Sequence, residues 1–70
     1  MNEYTQKKIG AFMQILTRLG LDQEQVCGIC SSLKTEEMMI EMLDRLEAKD
    51  FKVTPQEAIN ICAGVIKENL

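Results

Sequence analysis

Two stretches of the chain repeat one another, and that repeat restricts the fold more than any other feature. Ile15-Leu16-Thr17-Arg18-Leu19 leads through Leu21 to Asp22-Gln23-Glu24-Gln25-Val26, with Ile29-Cys30 beyond. Met42-Leu43-Asp44-Arg45-Leu46 leads through Val53 to Thr54-Pro55-Gln56-Glu57-Ala58, with Ile61-Cys62 beyond. Each copy reads as an apolar helix ending at a Leu, then an apolar residue, a helix cap and a second apolar helix. The second copy has five extra residues in its connection. The expected fold is all-α, a small four-helix domain built from two helical hairpins, with all 70 residues in a single domain.

Caps and apolar periodicity place the helices at about 3–19, 23–33, 36–49 and 55–68. The first, opening near Asn2 or Thr5, repeats Ile9, Phe12, Met13, Leu16 and Leu19 on one face, and Gly20 offers a left-handed stop. In the second, Asp22 and Gln25 have the capping-box spacing, and Leu21 and Val26 stand where a hydrophobic staple belongs. Its core face is Val26, Ile29, Cys30 and Leu33. Thr35 caps the third, with Glu36 and Glu37 placed against the positive end of the helix dipole. Its stripe is Met39, Met42, Leu43 and Leu46, broadened by Met38 and Ile40, and Phe51 beyond it is expected to plug the end of the bundle. The fourth helix has the plainest start: Thr54 caps, Pro55 takes the first helical position and Glu57 completes the box. Val53 and Ala58 repeat the staple, and Ala58, Ile61, Cys62 and Val65 face the core.

Composition narrows the functional classes. A hydrophobic fraction of 46% is too high for a disordered chain. No apolar run is long enough to span a membrane, and the opening Met-Asn-Glu-Tyr-Thr-Gln-Lys-Lys has none of the apolar length of a secretory signal. An odd count of three cysteines suits a reducing compartment, so the expected location is cytoplasmic. Charge is unevenly spread. Residues 1–20 carry Lys7, Lys8 and Arg18 against Glu3, whereas residues 36–50 carry six acids against Arg45 and Lys49. An acidic third helix repels nucleic acid and anionic lipid, and it equally suits a solvated helix face.

Catalysis has little to work with. The chain has no His, so no Ser–His–Asp or Cys–His arrangement can be built. Glu37 and Glu41 lie four residues apart on the polar side of the third helix, and the four glycines are too scattered to form a phosphate-cradling loop. The chain is expected not to be an enzyme, and no cofactor is expected.

Cys27-Gly28-Ile29-Cys30 is the one chemical motif. Such a pair serves as a redox couple or as two ligands for zinc or an iron–sulfur cluster. Here Cys27 lies a full turn inside its helix with Asp22 and Glu24 nearby, which disfavours a thiolate. Cys62, equivalent to Cys30 in the repeat, is the candidate third metal ligand beside Cys27 and Cys30, but four-coordinate zinc would still need a fourth. The alternative is that Cys30 and Cys62 are small core residues and Cys27 a boundary residue.

The apolar spacing from Ile15 to Ile29, with Gly20 in the turn, resembles the DNA-binding helix-turn-helix pattern. The resemblance covers some fifteen residues. The implied recognition helix would offer Asp22, Gln23, Glu24, Cys27, Gly28 and Ser31 to the groove, with no Arg or Lys for the phosphate contacts that supply most affinity.

The same outward face supports a different use. Cys27, Gly28, Ser31 and Ser32 form a small-residue surface that a partner helix could approach closely, and Gly28 costs about 1 kcal/mol relative to Ala inside a helix. Met13, Met38, Met39 and Met42 read first as core residues; the alternative is adaptable apolar surface for a second copy or a partner helix, with Met38 and Met42 as its contact residues. The expected function is a small protein-interaction or adaptor module that binds another protein or a second copy of itself. Its contact residues would be Cys27, Gly28, Ser31, Ser32, Met38 and Met42. A helix-turn-helix-like DNA-binding protein and a small Cys-x-x-Cys metal-binding protein are the alternatives.

Overall fold

Local capping decides where the helices begin and stop. The structure, a computed structural model, describes residues 3–70, with side chains from residue 6 onward. Among these residues there are four helices and no strand: α1 (Glu3–Arg18), α2 (Gln23–Ser32), α3 (Glu36–Glu47) and α4 (Pro55–Glu68). The start expected at Asn2 lies outside the described residues. Both capping boxes form. Asp22 Oδ1 accepts from the Gln25 N–H at 2.8 Å while Gln25 Oε1 accepts from the Asp22 N–H at 3.0 Å. Thr54 and Glu57 exchange the same two bonds at 3.1 Å each. The Thr54 backbone N–H, and after it the Thr54 hydroxyl, holds the Glu57 carboxyl below the ordinary carboxylate range. Thr35 caps α3 by accepting from the Met38 N–H at 3.1 Å.

The stops fall slightly earlier than the periodicity suggests, at Arg18, Ser32 and Glu47 rather than at residues 19, 33 and 49. The first and third stop for the same reason. After α1, the Leu21 N–H bonds back to the Leu16 carbonyl (3.3 Å) and the Gly20 N–H to the Thr17 carbonyl (3.0 Å). After α3, the Phe51 N–H bonds to the Leu46 carbonyl (2.9 Å) and the Asp50 N–H to the Glu47 carbonyl (2.8 Å). Each is a Schellman closure, and each turns the chain through a left-handed residue, Gly20 (φ 101°) or Asp50 (φ 53°). The closures make Leu16 equivalent to Leu46. The sequence repeat pairs Leu19 with Leu46 instead, one helical turn out of step.

The hairpins pack as expected: α1 lies chiefly on α2 and α3 on α4, and α2 meets α4 across the seam between them. One core runs through all four helices, with Phe12, Leu16, Met42, Leu46, Val26 and Val65 its largest fully buried side chains. Full burial of such a side chain stabilises the fold by about 1.5–3 kcal/mol, which matters in a chain with so small a core. Polar contacts tie the hairpins at their margins. Lys8 on α1 pairs with Glu36 on α3 at 2.8 Å. Arg45 joins Glu41 (2.9 Å) and also Glu68 at the end of α4, while the Asn69 side-chain amide donates to Glu41 at 3.1 Å. Glu41 is thereby committed to holding α4 against α3.

Two expectations are corrected here. Phe51 does not plug the bundle: its backbone is left-handed (φ 57°) and its side chain is 40% exposed. The Schellman closure at Leu46 sets this, because it carries the chain around the end of α3 rather than across it. Met38 and Met42 are core residues, 9% and 0% exposed. The buried side of α3 is rotated toward Met38, Met39, Met42 and Leu46, leaving Ile40 as the exposed apolar residue at 41%. Neither methionine presents a surface to a partner.

Candidate functional site

Burial of the narrow apolar stripe of α2 sets the rotation of that helix, and the rotation sorts the residues of the Cys-x-x-Cys motif. Val26, Ile29 and Leu33 point into the core, so Cys27, Gly28, Ser31 and Ser32 fall on the exposed side. Four of the six contact residues expected from the sequence therefore share one outward face, and the two methionines do not. Nothing stands within 4 Å of where a Cβ on Gly28 would lie. The Ser32 hydroxyl donates to the Gly28 carbonyl at 2.8 Å, which turns that side chain back along its own helix.

Beside this face runs a groove that the sequence did not reveal. It lies between α2 and α4, has a volume of about 350 Å³, and is open to solvent along its length. Gln25, Gly28 and Ser32 line it from α2, and Ile59, Ala63 and Ile66 from α4, with Ile29 and Cys62 beneath. Ile59 and Ile66 stand at the edges of the α4 stripe, half-buried. Ala63 carried no signal, because a lone exposed Ala in a helix has none. A second hollow of about 330 Å³ lies between the middle of α1 and the α2–α3 link, lined by Phe12, Cys30 and Met39 among others. Glu36 at its rim is already engaged by Lys8.

The three cysteines are free thiols in graded environments: Cys27 exposed, Cys30 half-buried and Cys62 buried. Burial, and secondarily the neighbouring Cys27, pushes the Cys30 thiol above its ordinary value; burial and then Cys30 do the same to Cys62. Both shifts favour the protonated thiol over the thiolate that redox or metal chemistry uses. Among the described residues, no group of three or more His, Cys, Asp or Glu side chains is arranged to hold a metal ion. Cys27, Cys30 and Cys62 are thus not brought together as a ligand set.

The helix-turn-helix spacing corresponds to a real helical hairpin, α1 with α2, joined through Gly20. The outward residues of α2 are Gln23, Glu24, Cys27, Gly28, Ser31 and Ser32, without a cation among them. Among the described residues, no helix is long and apolar enough to cross a membrane.

No protein-family model, curated protein or solved structure matches this chain.

Proposed function

We propose that this chain is a small helical protein-interaction module and that its contact surface is the α2–α4 face. The observation that carries this reading is the groove between the two helices, apolar along its floor and bordered by Gly28 and Ala63. Apolar surface left open on a small domain has a use when another apolar surface covers it. Small residues at its edge let the covering backbone come close. Gly28 fits the same account. Its helix interior position lowers monomer stability, and no packing within the monomer needs the missing side chain. A binding role also suits a chain without His, whose Glu41 and Glu57 are spent on an ion pair and a cap.

Site-specific photo-crosslinking in the cells that produce the protein tests this directly. A photo-reactive residue at position 63 is expected to give discrete cross-linked species that Gly28→Leu abolishes. The same residue in place of Glu37, exposed on α3, is expected to give none of them. Identical patterns from the two positions, or no product from position 63, would contradict the assignment.

A further inference from the structure

We infer that the hollow between the middle of α1 and the α2–α3 link binds a medium-chain carboxylate, an apolar tail carrying one anionic head. Its lining is divided by chemistry. Ile9 and Phe12 of α1, Leu33 after α2 and Met39 of α3 form an apolar wall, and all but Ile9 are buried. Ser31, Lys34 and Thr35 line it from the end of α2 and the link to α3, and all three are exposed. They offer two hydroxyls and an ammonium group. The Thr35 hydroxyl oxygen already accepts from the Met38 N–H at 3.1 Å, so its proton is left to donate. An apolar wall with a few polar groups gathered at one edge is the usual make-up of a small-molecule site. The volume of about 330 Å³ stands at the lower end of the range for such sites, about 300–1,000 Å³.

The charges choose the head group. Two of the lining residues are charged, Lys34 and Glu36. Glu36 pairs with Lys8 at 2.8 Å, whereas Lys34 forms no ion pair among the described residues. The hollow therefore offers one unmatched cation beside a carboxylate that is already neutralised. A single negative charge suits that arrangement. A second, as on a phosphate monoester, would stand against Glu36. The positive end of the α3 dipole lies at the same edge, where Thr35 caps that helix, and it favours the same sign. A cationic ligand would oppose both.

Titration calorimetry of the purified chain with decanoate, kept below its micelle-forming concentration, tests the inference, and amide NMR shifts locate the ligand. Saturable binding of one ligand per chain is expected, with shifts at Cys30, Ser31, Thr35 and Met39. Lys34→Gln should weaken binding roughly tenfold, as expected for loss of one charged contact. Ser31→Trp sets a large side chain over the hollow from an exposed position. It should abolish binding while leaving the helices formed, which circular dichroism verifies. Lys52→Gln, which removes an exposed cation elsewhere, should bind like the wild type. Decyltrimethylammonium, of equal chain length and opposite charge, should not bind. Absence of saturable decanoate binding, equal binding of the two ions, unchanged affinity in Lys34→Gln, or shifts that map to the α2–α4 groove would each overturn the inference. The interaction reading stands or falls separately, because the two hollows share no lining residue.

Discussion

Gly20 and Asp50 hold the same place at the ends of α1 and α3, and they show how one backbone requirement is met with different side chains. Both are left-handed, at φ 101° and 53°. Gly takes that conformation freely, whereas an L side chain there costs on the order of 1 kcal/mol, somewhat less for Asp than for most residues. At Gly20 a Cβ would also stand 3.3 Å from Pro55 Cγ, at the start of α4, so close approach adds to the backbone requirement. Gly20→Ala should accordingly destabilise the fold by about 1 kcal/mol or more, and Asp50→Gly should stabilise it by about 0.5–1 kcal/mol. Urea denaturation of the two variants beside the wild type checks both signs. The Gly20 stop was legible because Gly after an apolar stripe is a recognised signal. The Asp50 stop was not, since Asp–Phe gives no comparable cue, and the same omission left Phe51 wrongly placed at the bundle end.

At the scale of the helix, polar spacing proved more readable than apolar spacing. A cap acts through bonds to the next few residues, so Asp22–Gln25 and Thr54–Glu57 could be identified without knowing the tertiary fold. Thr54→Ala should therefore cost about 1 kcal/mol, measured by denaturant unfolding, and a much smaller change would mean that α4 begins elsewhere. The rotation of a helix about its axis is a different matter. On α3, five apolar residues from Met38 to Leu43 interrupted only by Glu41 offer more than one possible stripe. Packing against α4 decides among them, and it buries Met38 and Met42 while exposing Ile40. That choice moved two expected contact residues into the core. On α2 the apolar stripe is narrow, so Cys27, Gly28, Ser31 and Ser32 could be placed outward from sequence alone.

In the whole molecule, the pairing of hairpins followed from the repeat, but the surface between them did not. Residues of the groove come from α2 and α4, more than 25 positions apart in the chain, and no local pattern links Gly28 to Ala63. The account rests on that juxtaposition: an uncharged, partly hollow face on an acidic chain. Backbone amide NMR spectra of the isotope-labelled chain, recorded in buffer and in lysate of the cells that produce it, test it most directly, because they locate the contact as well as detect it. Shifts or broadening in lysate are predicted at Gly28, Ser32, Ile59, Ala63 and Ile66, with the exposed residues of α3 unchanged. Spectra that are the same in both, or changes that map to α1 and α3 instead, would contradict it.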